Sequence, residues 1–157
     1  DVVFTSYGTI GWLPDLKPWA KMIAERLAPG GVFYIVEFHP IAWMFDYTVT
    51  PPDMKYGYHQ KEAIYEEYEG TYAEDGKTKM VSKEYGWNHS LSDVIGSLLD
   101  AGLTLELFKE HDASPYDVFP DLEKKLWGII LTARAPRRRM PKHLKTFLQY
   151  LEKSLMK

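Results

Sequence analysis

The sequence predicts an α/β fold with a parallel strand–helix–strand (βαβ) unit, further strands toward the C-terminus and a β-hairpin insertion. Three observations support this prediction. Two short apolar runs, at residues 2–5 and 32–36, are separated by apolar residues at helical spacing. The second run is continuous, as in a strand of a parallel sheet that is covered on both faces. Later, an Asp-Gly pair separates two stretches rich in Tyr, Thr and Val, which predicts a hairpin.

The first half of the chain supplies the βαβ unit. Residues 2–5 are expected to form a buried strand that stops before Gly8. Asp15 can cap the helix that follows, and Pro-Gly-Gly at 29–31 ends it. Residues 32–36 then form the second strand, through the usual right-handed crossover. The helix is expected to bury one apolar face, made of Trp19, Met22, Ile23 and Leu27.

The middle of the chain is predicted to hold a lid and a hairpin. Residues 39–63 are irregular, aromatic and interrupted by three prolines, which is typical of a functional lid. Residues 64–72 and 78–85 flank the Asp-Gly turn and predict two antiparallel strands. We therefore expect residues 39–89 to be a lid and hairpin insertion within a domain that covers residues 1–133.

Strand and helix signals continue toward the C-terminus. Ser90 and Asp93 have the spacing of a capping box. The helix that follows has a predicted buried stripe of Val94, Ile95, Leu98 and Leu99. Residues 103–107 alternate like a strand, and 126–133 favour another, although a helix over 121–131 is the alternative. The chain closes on a predicted amphipathic helix marked by Leu144, Phe147, Leu148, Leu151 and Leu155.

Composition narrows the class of protein. The 157 residues are 45% hydrophobic and 26% charged, which fits one globular domain and is too apolar for a disordered chain. No stretch approaches the roughly 20 apolar residues of a membrane helix, and no basic-then-apolar segment suggests secretion. Cysteine is absent, which excludes disulfides and thiolate chemistry, and the five histidines are scattered. We expect a cytoplasmic protein without a metal site.

Residues 134–157 form a basic tail on an acidic body. They contain eight basic residues and one acid, a net charge of +7. Because the whole chain has a net charge of −3, residues 1–133 have a net charge of −10. A basic segment of this kind can bind polyanions such as nucleic acid. A solvated face that folds back on the acidic body is the more common arrangement, and nucleic acid is not the expected partner.

Polar residues follow both predicted parallel strands at the point where each strand ends. Ligands of open α/β sheets bind at this edge, outside the carboxyl ends of the strands. Gly8 lets a ligand approach the backbone closely, and Glu37 and His39 offer a carboxylate and a titratable imidazole. The full set of candidates is Thr5, Ser6, Tyr7 and Gly8 at the first end and Glu37, Phe38 and His39 at the second. A polar sheet rim without function is the alternative.

Several segments resemble part of a known family. Residues 1–16 (Asp-Val-Val-Phe-Thr-Ser-Tyr-Gly-Thr-Ile-Gly-Trp-Leu-Pro-Asp-Leu) and 27–38 (Leu-Ala-Pro-Gly-Gly-Val-Phe-Tyr-Ile-Val-Glu-Phe) are similar to the fourth strand, fourth helix and fifth strand of class I S-adenosylmethionine-dependent methyltransferases. The segment 87–93 (Trp-Asn-His-Ser-Leu-Ser-Asp) resembles a bacterial small-molecule branch of these enzymes. The resemblance covers residues 1–112. It implies the C-terminal part of a Rossmann-like methyltransferase sheet, without the glycine-rich cofactor loop and with a closing strand near 126–133.

The resemblance also implies roles for the candidate residues. Thr5, Ser6, Tyr7 and Gly8 would line the methionine side of S-adenosylmethionine, with Trp12 near its methyl group or near the acceptor. A small-molecule acceptor would face Glu37, Phe38, Trp43 and Trp87, and His39 or His89 would act as base where the acceptor must lose a proton. Because a sulfonium methyl is already activated, the protein mainly positions the acceptor and excludes water.

Other interpretations of the sequence stay open. Core or lid packing is the alternative role for the tryptophans Trp12, Trp43 and Trp87. A non-enzymatic binding or assembly module is the alternative function, because the first strand would present an open edge at which two chains could pair as a homodimer. Polyanion binding by the basic tail is a third hypothesis, and the sequence does not indicate which acceptor atom would be methylated.

Overall fold

The computed structural model describes residues 1–47, 49–69, 81–111 and 130–136, together with Thr146, Gln149 and Tyr150. Within this part, no helix has the length and hydrophobicity needed to cross a membrane. The strands and helices are, in chain order, β1 (Val2–Ser6), α1 (Leu16–Arg26), β2 (Val32–Phe38), β3 (Phe45–Asp46), β4 (Asp53–Met54), β5 (Ile64–Glu69), β6 (Val81–Gly86), α2 (Leu91–Asp100), β7 (Leu107–His111) and β8 (Ile130–Pro136).

Four strands form the main sheet, in the order β1-β2-β8-β7. β1 and β2 are parallel, with Val2 opposite Val32 and Ser6 opposite Val36. β8 is antiparallel to both of its neighbours, so β7 runs in the same direction as β1 and β2. The carboxyl ends of β1, β2 and β7 therefore meet at one edge of the sheet. This arrangement confirms the predicted α/β fold and its parallel βαβ unit.

α1 begins where Asp15 accepts a hydrogen bond from the backbone N–H of Lys17, at 2.9 Å, which confirms the predicted cap. The helix packs against the sheet, and the ring of Trp19 meets Phe33 edge-on at 5.5 Å. The residues it buries are Leu16, Ala20, Ile23, Ala24 and, just beyond its end, Leu27. The prediction that Met22 faces the core is wrong: its side chain is 48% exposed. The small residues Ala20 and Ala24 bring the helix close to the sheet and rotate the buried stripe away from Met22.

Gly31 is required by close packing where the chain enters β2. A Cβ atom at this position would lie 2.8 Å from the carbonyl oxygen of Ala28 and 3.1 Å from that of Asp1. The N–H of Gly31 donates to Ala28 at 2.8 Å, and the N–H of Val32 donates to Asp1 at 2.9 Å. The Pro-Gly-Gly segment therefore ends α1 and also lets the start of β1 pair with the start of β2.

The described hydrophobic core lies between one face of the sheet and the two helices. Phe33 and Ile35 of β2 pack there with both helices. All seven residues of β2 are buried, which confirms the prediction of a strand covered on both faces. From α2 the core receives Val94 and Leu98. The prediction for Leu99 is wrong, since this residue is 48% exposed.

α2 begins at the predicted capping box. The Ser90 hydroxyl accepts from the N–H of Asp93 at 3.1 Å, and the Asp93 carboxylate accepts from the N–H of Ser90 at 3.2 Å. The predicted strand over 103–107 is wrong, because strand structure begins only at Leu107. Leu103 is buried and donates its N–H to the carbonyl of Leu98 at 3.1 Å. The alternating leucines of this segment therefore belong to a loop, and this loop packs against the core after the end of α2.

The insertion and the C-terminal region agree in part with the sequence predictions. β5 and β6 are antiparallel, which confirms the hairpin, although its turn lies outside the described residues. Residues 39–63 are irregular apart from the short β3–β4 pair and a 3-10 turn. β8 confirms the predicted strand over 130–133, whereas 126–129 lie outside the described residues, and the alternative helix is wrong at 130–131. The apolar positions of the predicted terminal helix lie outside the described residues.

The two neighbouring residues Ile23 and Met22 test the position of the buried stripe. Ile23→Ala is expected to lower the free energy of unfolding by about 2–5 kcal/mol, because it leaves a cavity in the core. Met22→Ala removes an exposed side chain and should change it by less than about 0.5 kcal/mol. Urea unfolding of both variants measures the difference. Equal losses would show that α1 is rotated about its axis and buries Met22 as well.

Candidate functional site

The candidate site lies at the edge of the sheet where β1, β2 and β7 end. The register places Phe38 of β2 opposite Ile130, which in turn is opposite His111 of β7. The segments that leave these strands, at residues 7–13 and 39–44, cover the edge. The structure therefore brings together the two strand ends that the sequence analysis selected.

The end of β1 leads into a tight turn centred on Gly8. Thr5 is buried within the strand, whereas Ser6 and Tyr7 are half-buried. The Ser6 carbonyl accepts a hydrogen bond from the Thr9 hydroxyl. Gly8 has φ +75, a left-handed conformation that side chains other than glycine rarely adopt. The nearest atom to a Cβ here would be 3.8 Å away, so the backbone conformation and not space requires glycine.

Glu37 is buried at the end of β2, with 4% of its surface exposed. Its Oε1 accepts hydrogen bonds from the N–H groups of Gly8 and Phe38, the latter at 3.0 Å. Its Oε2 accepts from the N–H of Ile10 at 3.3 Å. Burial raises the pKa of Glu37 above its usual value, although these backbone donors oppose the rise. The carboxylate, predicted to face an acceptor, therefore joins the end of β2 to the turn after β1.

His39 follows β2 and has both ring nitrogens engaged. Its Nδ1 accepts from the N–H of Ile41 at 3.1 Å, so the proton of the neutral ring lies on Nε2. Nε2 donates to the carboxylate of Glu110, in β7, at 3.0 Å. Burial lowers the pKa of His39, and Glu110 partly offsets this effect. Because neither nitrogen has a free lone pair, His39 is poorly placed to accept a proton from a substrate.

Three consecutive residues lie between β6 and the Ser90 cap of α2, and each forms a hydrogen bond to the loops around the site. The N–H of Trp87 donates to the carbonyl of Gly11 at 2.8 Å. The amide of Asn88 donates to the carbonyls of Pro40 at 3.1 Å and Gly57 at 3.3 Å. This segment, residues 87–89, is the connector. It fastens the turn after β1, the end of β2 and the lid to one another.

His89 completes the connector and keeps one nitrogen available. Its Nε2 is 2.7 Å from the carbonyl oxygen of Leu13, which can only accept, so Nε2 carries the proton. In the neutral ring Nδ1 then keeps its lone pair. His89 is half-buried and lines a small pocket at the strand ends. A histidine oriented by a hydrogen bond on its far side is the arrangement expected of a general base.

Aromatic side chains extend across the edge of the sheet. The ring of Phe38 lies 5.8 Å from Tyr7 and 5.5 Å from Trp43, which meets it edge-on. Trp43 is 37% exposed and Trp12 50% exposed, whereas Trp87 is half-buried. Trp12 and Trp43 thus keep ring surface available for contact with a ligand.

The small pocket brings together three of the predicted site residues, Glu37, Phe38 and His89. Its remaining walls are mostly apolar and come from the turn after β1, the sheet, α2 and β7. They are Ile10, Ile35, Pro40, Leu91, Val94, Ile95 and Phe108. The pocket is therefore mostly apolar, with the Glu37 carboxylate and the His89 imidazole as its ionisable groups.

Sequence reasoning missed two residues that hold this edge together. Asn88 was noted only as part of a motif, yet its buried amide links the connector to two loops. Glu110 lies 71 residues from its partner His39. Residue spacing carries no signal for either contact, because each joins segments that are far apart in the sequence.

Comparison with known proteins identifies the fold. No protein-family profile and no curated protein matches the sequence. A putative S-adenosylmethionine-dependent methyltransferase from Listeria monocytogenes has a similar structure, with a TM-score of 0.55 and 14% identity. The match covers 88% of this chain and 61% of that chain. An S-adenosylmethionine-dependent methyltransferase from Mesorhizobium loti matches with a TM-score of 0.52 and 16% identity, over 87% of this chain and 61% of that one.

These matches concern the fold, since the identities are low. The chain spans about three fifths of the length of each of the two solved structures. Its α/β architecture is that of part of a Rossmann-like methyltransferase fold, as the sequence resemblance implied.

The pKa of His39 predicts how stability depends on pH. Because this pKa is lowered in the folded protein, the unfolded chain binds a proton more readily. The contribution of His39 to stability is present above about pH 6.5 and is lost as pH falls toward the lower pKa of the folded state. The melting temperature should therefore fall more between pH 7 and 5 in the unaltered protein than in His39→Gln.

The exposed His59 provides the control for this measurement. His59→Gln should retain the pH dependence of the unaltered protein. If His39→Gln showed the same dependence as well, the buried imidazole would not be its source.

Proposed function

We propose that the protein transfers the methyl group of S-adenosylmethionine to a small-molecule acceptor. The observation that carries this proposal is the convergence of the turn after β1, the end of β2 and the connector at one sheet edge, in a fold shared with two solved methyltransferases. That edge combines the residue types that methyl transfer needs: backbone donors, exposed aromatic faces and one oriented imidazole.

The turn after β1 fits the methionine end of the cofactor. The left-handed Gly8 exposes backbone without a side chain, and Ser6 supplies a hydroxyl group close to it in the chain, whereas the Tyr7 hydroxyl is buried. Thr5, being buried, would contribute through its backbone. Trp12 offers a half-exposed indole, whose face can attract a sulfonium by about 0.5–2 kcal/mol. When bound, S-adenosylmethionine supplies a methyl group that is already activated for transfer.

The acceptor would lie against Phe38, Trp43 and the pocket beneath the connector. The apolar walls of this pocket favour exclusion of water, which keeps the acceptor in line with the methyl group. We place Trp87 in the cover of this region, since its backbone is held to Gly11.

His89 is the base of the proposed reaction. Its hydrogen bond to the Leu13 carbonyl fixes the ring with Nδ1 as the acceptor nitrogen. An acceptor hydroxyl or amine that loses a proton during transfer would donate it to Nδ1. His39, the other candidate, would instead stabilise the frame through Glu110 and Ile41.

The chain would provide one part of the methyltransferase domain. It spans 61% of each solved structure, and we place the glycine-rich cofactor loop of the domain outside these 157 residues. In this proposal the chain taken alone binds the cofactor weakly and is inactive.

Self-assembly is a second candidate function, favoured by the position of β1. Among the described strands, β1 pairs with β2 alone, and Phe4 on this edge strand is 49% exposed. A strand with one open edge can pair with a second copy of the chain. A dimer in light scattering that Phe4→Pro abolishes would support this candidate, because the register turns the N–H of Phe4 away from β2 toward the open edge.

The main proposal is tested with the protein as the cell produces it. Titration calorimetry with S-adenosylmethionine should show binding, and methyl-labelled cofactor should transfer its label to a low-molecular-weight fraction of a metabolite extract. Absence of both binding and label transfer would refute the proposal.

Replacement of His89 tests the base. His89→Gln keeps a donor toward Leu13 but removes the basic nitrogen, so the rate of methyl transfer should fall by roughly 10²–10⁴-fold. Affinity for S-adenosylmethionine should stay within twofold. His59→Gln, at an exposed histidine, is the matched control and should leave the rate unchanged. A rate for His89→Gln equal to that of the control would exclude His89 as base.

A further inference from the structure

Glu37 stands out among the buried ionisable groups of the described chain, because backbone N–H groups surround its carboxylate. Gly8 and Phe38 donate to one oxygen and Ile10 to the other. Since every one of these groups donates, they suit an ionised carboxylate, which is acceptor-only. Hydrogen bonds to an ionised acceptor are about twice as strong as those between neutral groups.

Two of these three donors belong to the turn after β1. Gly8 and Ile10 lie 29 and 27 residues from Glu37 in sequence, so their contacts with it are tertiary. The turn makes one local side-chain contact, from the Thr9 hydroxyl to the Ser6 carbonyl. Gly8 has a left-handed conformation. Glycine adopts positive and negative φ about equally, so the residue type alone does not select this conformation. The carboxylate supplies the interactions that select this conformation.

We propose that Glu37 is a positioning residue: its buried carboxylate holds the Gly8–Ile10 turn in the conformation that receives the methionine end of S-adenosylmethionine. This inference rests on the proposed function. It differs from the role that the family resemblance implied for Glu37, because the carboxylate acts on the cofactor through the turn and does not contact the acceptor.

Glu37→Gln is the direct test, because glutamine has nearly the same shape but replaces one acceptor oxygen with a donor. Amide hydrogen exchange at Gly8 and Ile10 should become at least tenfold faster, and the dissociation constant for S-adenosylmethionine should rise about tenfold. Ile23→Val, a mild change in α1 that leaves the hydrogen bonds of Glu37 in place, is the control. It lowers overall stability without touching the carboxylate, so it should leave the dissociation constant unchanged and speed exchange equally at all core amides.

Gly8→Ala provides a second route to the same turn. It leaves Glu37 in place but disfavours the left-handed conformation, and its Cβ has room beside Phe38. It should weaken cofactor binding, and the double variant with Glu37→Gln should lose less affinity than the two single losses combined, because both act on one turn. This variant also keeps the inference testable if Glu37→Gln does not fold.

The outcomes separate the inference from the proposed function. All variants are made in the protein as the cell produces it. Binding by that protein together with unchanged exchange and affinity in Glu37→Gln would overturn the inference alone. Failure of that protein to bind S-adenosylmethionine would overturn the proposed function, and the cofactor role of the turn with it. Fully additive losses in the double variant would show that Glu37 and Gly8 act independently, which also contradicts the inference.

Discussion

The hydrogen bonds between Glu37 and the turn after β1 are the interaction on which the candidate site depends. Parallel pairing of β1 with β2 brings the two strand ends to one edge, but it leaves the backbone N–H groups beyond β1 without strand partners. Buried polar groups of this kind are costly unless they are paired. One carboxylate satisfies several of them at once. The site is thus built from a strand end and a turn that are stable only together.

The same edge is closed from the other side by the connector and by the His39–Glu110 pair. The connector ties the lid and both strand-end loops through one backbone N–H, one amide and one imidazole. His39 joins the end of β2 to β7 across β8. Most of these contacts use backbone carbonyls as acceptors, so they constrain where a loop runs more than which side chains it carries. This allows loops around a shared scaffold to vary in sequence while the site keeps its shape.

The two candidate histidines illustrate how environment separates chemically identical side chains. His39 is engaged at both nitrogens and is stabilised as a neutral ring, whereas His89 is held at Nε2 by Leu13 and keeps a lone pair on Nδ1. The first arrangement suits a structural role and the second suits proton transfer. The hydrogen-bond partners of each ring decide between these two roles. Glu110, the partner of His39, lies 71 residues from it in sequence, and Leu13, the partner of His89, lies 76 residues from it.

The sequence by itself determined the βαβ unit, the Asp15 cap, the Ser90 capping box and the hairpin, because these depend on local periodicity and on hydrogen bonds within a few residues. It also selected both strand ends as the candidate site. Only the tertiary structure decided that Met22 and Leu99 face outward, that residues 103–106 form a loop, and that the Glu37 carboxylate contacts a turn. The reason is physical: helix rotation, strand register and partner choice are set by packing between elements, and contacts between residues far apart in the chain leave no trace in residue spacing.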